Sequence, residues 1–252
     1  MNRSSKGRTE KPGLLQVRRL VLCPLPARRC RWSQHNSMRF SRYQKITSSS
    51  IRVDYKIKQR NRRKSPSPGV LYWPQFLPRN DFEALVQECS FLARTARPEK
   101  NSLAKGRLGA YVPKGSRSLT VLLSEEVCEK VGRKMGASEL IPGDYPMELR
   151  VYRPGSYMDW HVDEVMYREP QFEAIFTENS TDSETQWKEP GNQSLVSRWA
   201  EPNSLIVLRA GGPLHQVTRA TKGRRVILKF LLTPTLEKNE VFDQNLNRRA
   251  FG

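Results

Sequence analysis

From Pro146 onward, apolar residues recur at every second position in short runs, and glycine and proline cut the runs apart. Residues 147–152, 172–177, 204–209 and 225–232 are rich in β-branched, aromatic and leucine side chains, which predicts strands. The interruptions are Arg153-Pro154-Gly155, Glu189-Pro190-Gly191 and Gly211-Gly212-Pro213. Successive strand residues point to opposite faces, so a chain with this many apolar strands must bury both sides of a sheet. The polar stretch 178–203 reads as a long hairpin loop with a strand inside it.

Upstream the period is helical. Val70 to Trp73 forms a short strand. Asn80 or Asp81 then caps a helix to about Arg94, with Phe82, Leu85, Val86, Cys89 and Leu92 on one face. Residues 105–117 read as a loop or hairpin. A second helix runs from Ser124 to about Met135, opened by Ser-Glu-Glu and apolar at Val127, Cys128 and Val131. Helices followed by strands predict an α+β, mainly β chain whose core is a β-sandwich or closed double sheet, with the helices flanking it.

The net charge of +19 is unevenly spread. Residues 1–68 hold 19 Lys and Arg against two acids, Glu10 and Asp54, whereas the remaining 184 residues carry 25 against 23. The body at 69–252 is nearly neutral, so nucleic acid is not an expected partner for it. The basic segment is Arg- and Ser-rich and lacks an apolar run long enough for a secretory signal or a membrane span. It reads as a disordered leader of the organellar transit type, for a chloroplast or mitochondrion, ending at Ser65-Pro66-Ser67-Pro68. A nuclear address on residues 56–64 is the alternative. Cys23, Cys30, Cys89 and Cys128 form no close pair and are expected as free thiols.

Two of the three histidines fall into one constellation: His161-Val162-Asp163, then His215, then Gly223-Arg224-Arg225. On a strand, His161 and Asp163 would share a face with Val162 turned into the core, and His215 would arrive from another strand. Two imidazoles and one carboxylate hold non-haem Fe(II) on one side and leave the other side open. A basic residue ten positions after the second histidine could bind a cosubstrate carboxylate. His35 lies in the leader and is assigned no role. Trp160, Arg153, Arg209, Trp187 and Trp199 could each line the cleft or simply pack or be solvated.

The segments Tyr152-Arg153-Pro154-Gly155 through His161-Val162-Asp163, and His215-Gln216-Val217 through Gly223-Arg224-Arg225, resemble the 2-oxoglutarate/Fe(II)-dependent dioxygenases, in particular their prolyl-4-hydroxylase-like branch. The resemblance spans about residues 70–235. It implies a double-stranded β-helix (jelly roll) core, with His161, Asp163 and His215 as ligands of Fe(II). Arg225 would pair with the distal carboxylate of 2-oxoglutarate, helped by Tyr152, with Arg224 as the fallback. It further implies use of O2, optionally with ascorbate, release of succinate and CO2, and hydroxylation of a protein side chain or small metabolite. Related halogenases lack the carboxylate present here as Asp163.

Two other functions compete. Oxidative demethylases of nucleic acids resemble the chain in its metal ligands, but they carry a second arginine six residues after the first, where Leu231 stands. A non-catalytic nucleic-acid-binding protein would work through the basic leader alone.

Overall fold

The computed structural model describes residues 69–100, 102–137, 139–178 and 181–248. The leader, its boundary at 65–68, His35, Cys23 and Cys30 lie outside the described residues. Of the other two cysteines, Cys89 and Cys128 are buried and free.

The chain begins with β1 (Val70–Trp73) and α1 (Arg79–Leu92), then the short strands β2 (Arg97–Pro98), β3 (Ala104–Lys105) and β4 (Leu108–Tyr111). Helices α2 (Arg117–Leu122) and α3 (Glu125–Met135) follow, then β5 (Ile141–Pro142), β6 (Glu148–Tyr152), β7 (Tyr157–His161) and β8 (Phe172–Thr177). The chain finishes with β9 (Glu184–Lys188), β10 (Leu195–Trp199), β11 (Ser204–Arg209), β12 (His215–Val217), β13 (Arg225–Thr233) and α4 (Glu240–Arg248). A major sheet runs β1-β11-β8-β13-β6-β4-β2, with β5 paired to β13, and a minor sheet runs β10-β9-β12-β7-β3. Ala104, Met158 and Val217 of the minor sheet pack on Tyr152 and Ile227 of the major one. The α+β, mainly β jelly roll expected from the sequence is the observed architecture.

Strand parity explains how the two layers divide their work. On β6, β8 and β13 one set of alternate residues, including Leu149, Val151, Phe172, Phe176, Leu228 and Phe230, joins the main core with Leu85, Cys89 and Val131 of the helices. The other set, Glu148, Arg150, Tyr152, Glu173, Arg225 and Lys229, lies on the opposite face and is equally buried.

Several sequence expectations need correction. Helix α1 starts at Arg79 after Pro78, with no side-chain cap; Asp81 sits in the first turn, where it complements the helix dipole rather than capping it. Its end is Leu92, two residues before Arg94. The stretch 105–117, expected as a loop or hairpin, contributes β4, paired antiparallel with β2, but Arg117 opens a helix of its own. That helix is capped from outside: Glu88 of α1 accepts from the backbone N–H of Arg117 and Ser118 and from the Ser118 hydroxyl. The stretch 178–203 holds two paired strands, not one, turning at Glu189-Pro190-Gly191. The C-terminal α4 was not expected; Phe242 anchors it to Tyr145 and Tyr167. Helix α3 is as expected, with Ser124 as N-cap accepting from Val127 N–H and left-handed Gly136 ending it. No helix among the described residues is long and apolar enough to cross a membrane.

Candidate metal centre

The three candidate ligands converge where the minor sheet opens. His161 ends β7 and pairs in register with His215 of β12. Two steps further along β12, Val217 pairs with Met158, which lies three steps back along β7. Strand β7 therefore carries one extra residue, a bulge at Asp159-Trp160. It throws both of these side chains into solvent and brings His161 onto the inward face beside Met158. Beyond the strand end Asp163 turns inward again, its carbonyl accepting from Gly211 N–H at 2.8 Å. Val162 is accordingly 42% exposed, not turned into the core as simple alternation predicts. His215 is delivered by a turn that requires glycine: a Cβ on Gly212 would lie 2.4 Å from the Arg209 carbonyl oxygen.

All three donor atoms lie within 4.8 Å of one another. Asp163 Oδ1 is 3.8 Å from His161 Nε2, and Oδ2 is 3.4 Å from His215 Nε2. Two ligands about 2.1 Å from one ion and at right angles are about 3 Å apart, so a modest contraction would close the set on a cation. The tautomers are right for it. His161 Nδ1 lies 2.8 Å from the Asp159 carbonyl and His215 Nδ1 lies 3.0 Å from that of Pro213. A carbonyl can only accept, so each Nδ1 carries the hydrogen and each Nε2 keeps its lone pair. Burial, together with neighbouring His215, pushes the His161 pKa down to about 4, so the ring is neutral at physiological pH. These residues fit a divalent metal.

Behind the triad is a narrow chamber reached by Tyr152, Thr185, Arg225 and Lys229. Two of its cations are paired with carboxylates. Arg150 Nη2 meets Glu148 Oε2 at 2.5 Å, and Lys229 Nζ meets Glu173 Oε2 at 2.5 Å. Burial disfavours the Arg150 charge, but Glu148, Glu99 and Glu173 outweigh it and raise its pKa. Arg225 has no carboxylate partner among the described residues. It is 1% exposed, and burial lowers its pKa with only Tyr152 acting the other way. One nitrogen, Nη2, donates to Thr185 Oγ1 at 2.9 Å, while Nε and Nη1 have no hydrogen-bond partner. An unbalanced guanidinium with two idle nitrogens could hold an anion, and a carboxylate would suit its fork. Tyr152 pairs with Arg225 in register, its ring centroid 5.8 Å from the guanidinium carbon.

The turn at Gly223, with φ of +62°, sets the strand so that Arg225 faces inward while Arg224 falls on the opposite, exposed side. Arg153 and Arg209 are exposed as well. Trp160 is 38% exposed, under Lys188. Trp187 is buried opposite His215, and Trp199 is exposed, its indole N–H on the Thr181 carbonyl. The sequence reading missed Arg107, Thr185, Glu173 and Lys229, whose contacts across the chamber, to Tyr152, Arg225 and each other, join residues distant in the chain and leave no local pattern.

No protein-family model and no curated protein sequence matches the chain. Solved structures do. A prolyl-4-hydroxylase from Pseudomonas putida superposes with a TM-score of 0.55 at 15% identity, over 67% of this chain and 94% of that one. A Trichoplax adhaerens prolyl hydroxylase, in complex with a peptide of hypoxia-inducible factor, gives 0.55 at 14%, over 65% and 83%. HygX of Streptomyces hygroscopicus, with nickel and 2-oxoglutarate bound, gives 0.53 at 12%, over 67% and 84%. The fold is that of the 2-oxoglutarate/Fe(II) oxygenases.

Proposed function

We propose that the chain is an Fe(II)- and 2-oxoglutarate-dependent oxygenase that hydroxylates a protein side chain or a small metabolite. The observation that carries this reading is the uncompensated Arg225 guanidinium in the chamber behind a His-Asp-His triad. In this reading His161, Asp163 and His215 hold Fe(II), Arg225 and Tyr152 take the distal carboxylate of 2-oxoglutarate, and Thr185 steadies Arg225. Bound iron would supply the activation of O2 that couples conversion of the 2-oxo acid to succinate and CO2 with substrate oxidation. The protein's own residues keep the His161 ring neutral, pin the tautomers of both imidazoles through Asp159 and Pro213, and present the Arg225 guanidinium to the cosubstrate. Ascorbate would serve as an optional reductant.

The substrate side is a cavity of about 300 Å³ bordered by Leu103, Met158, Val162, Glu164, Asn245 and Arg248. That volume suits one side chain or a small molecule. Nucleic-acid demethylation gains no support: Leu231 is buried among Tyr145, Tyr167 and Phe242, where the second arginine of those enzymes would be needed. We infer from composition that the leader is an organellar address, with a nuclear one as the alternative. A reporter fused to residues 1–68 distinguishes them, and diffuse cytoplasmic signal would reject both.

The full chain supplied with Fe(II), O2 and 2-oxoglutarate is expected to produce succinate slowly even without its substrate. His161→Ala should lower that rate at least ~100-fold by removing an iron ligand. No succinate from the wild type, or undiminished turnover by the variant, would overturn the assignment.

A further inference from the structure

One wall of the substrate cavity is the segment between β2 and β4, which contributes Ser102, Leu103 and Arg107. Arg107 is 4% exposed, and all five of its N–H groups are engaged. Nε and Nη2 grip the two carboxylate oxygens of Glu99 at 2.7 and 2.5 Å, and Nη2 also donates to Ser102 Oγ at 3.0 Å. Nη1 donates to the Tyr152 hydroxyl at 2.8 Å and to Met158 Sδ at 3.4 Å. Burial alone would raise the Glu99 pKa, but Arg150 and Arg107 outweigh it and hold the carboxyl at about 2. Arg107 is thus a fixed donor, already neutralised, that touches the cosubstrate side with one nitrogen and the substrate wall with the others.

The consequence falls on Tyr152. A phenol has one hydrogen to donate and accepts through its lone pairs. With Arg107 donating to that oxygen, the hydroxyl hydrogen must point elsewhere, and its other neighbour is Met158 Sδ at 3.8 Å, a weak acceptor. The Tyr152 ring also lies near two guanidinium groups, with centroid distances of 5.4 Å to Arg107 and 5.8 Å to Arg225. Of these two cations, Arg107 is saturated and Arg225 is not.

Resting on the cosubstrate reading above, we propose that Arg107 is a positioning residue. It holds the Tyr152 oxygen as an acceptor, so that the phenol hydrogen is presented, together with Arg225, to the distal carboxylate of the 2-oxo acid. Through Glu99 and Ser102, the same guanidinium ties the substrate-cavity wall to that arrangement. A lysine cannot replace it, because an ammonium offers three donors and no planar fork.

The test is calorimetry on the full chain with Mn(II) in place of Fe(II), titrating first the metal and then 2-oxoglutarate. The proteins compared are wild type, Arg107→Lys, Tyr152→Phe and the double variant. Each single substitution should weaken 2-oxoglutarate binding about 10-fold, the scale of one hydrogen bond to a charged group. The double variant should be no worse than about 2-fold beyond the weaker single, since both remove the same contact. Mn(II) affinity should stay within about 2-fold throughout, which a general loosening of the site would not allow. If Arg107→Lys does not fold, Arg107→Met with Glu99→Gln removes the ion pair as a unit and is expected to give the same loss. Unchanged 2-oxoglutarate affinity, additive losses near 100-fold, or a parallel fall in Mn(II) affinity would each overturn the positioning role. Absence of 2-oxoglutarate binding by the wild type would instead remove the cosubstrate reading, and this inference with it.

Discussion

Strands β6, β8 and β13 present two buried faces of opposite character. Toward the helices they place Leu149, Val151, Phe172, Phe176, Leu228 and Phe230; toward the chamber they place Glu148, Arg150, Glu173, Arg225 and Lys229. Solvent reaches neither face, so burial alone does not separate them. The apolar face removes hydrocarbon from water and stabilises the domain by about 25 cal/mol per Å². The charged face gains little by comparison, because desolvating a buried pair costs about as much as its attraction returns. Its purpose is chemical. Glu148 and Glu173 cancel the charge of two cations, and Arg225, left uncancelled, shares its chamber with the His161-Asp163-His215 triad.

Two substitutions on one strand, one on each face, should separate these roles. Phe230→Ala removes a ring that is 2% exposed, and a cavity of that kind costs about 3–5 kcal/mol. Denaturant midpoints should show that loss, with 2-oxoglutarate affinity unchanged in the folded protein. Arg225→Met should do the reverse. It should weaken 2-oxoglutarate binding about 100-fold, or about 2.7 kcal/mol, while leaving stability unchanged or higher, because an unpaired buried charge is replaced by an apolar chain of similar length. Arg224→Ala, one residue away on the other side, should change the affinity less than about 2-fold, since an exposed charge off the site is screened. Should Arg225→Met unfold the domain while sparing binding, the division of labour between the faces would be wrong.

How much of this was legible beforehand follows from the range of each interaction. Strand existence was legible from local alternation, and the bounds at 172–177 and 204–209 match β8 and β11. The triad was legible because His161 and Asp163 are neighbours in sequence and metal chemistry restricts the third partner to few residues. The preference for Arg225 over Arg224 rested on spacing; in the structure Arg225 is buried and Arg224 is exposed. The bulge in β7 was invisible, because its cause is the register of β12, a strand some 50 residues away. That is why Val162 was placed in the core. Helix α2 was missed for the same kind of reason: its N-terminus is satisfied by Glu88, not by a residue of its own. Arg107 stood in a stretch read as a loop or hairpin, and its partners Tyr152 and Met158 lie 45 and 51 residues away.

The contrast between the faces is not complete, since Ile175 and Ile227 line the chamber, and a carboxyl on the apolar side supplies the smallest effect. Glu178 follows β8 in the parity of Phe172, Ala174 and Phe176, so its carboxyl lies on the apolar side, 5% exposed, with Oε2 lacking a hydrogen-bond partner. Burial raises its pKa to about 7, only partly offset by Arg224. The folded state therefore holds the Glu178 proton more tightly than the unfolded chain, whose carboxyl titrates near the ordinary value of about 4.3. Between those two values folding retains a proton that unfolding releases, so the contribution falls as pH rises and the full penalty is present above about pH 7. Glu178→Gln abolishes the titration. It should stabilise the protein by about 1–2 kcal/mol near pH 8, allowing for screening at the partly wetted strand end, and by nothing near pH 4. Chemical denaturation of both proteins at the two pH values measures it. A gain that is equal at both would mean that the carboxyl is not taken out of water, and that the apolar face ends at Phe176.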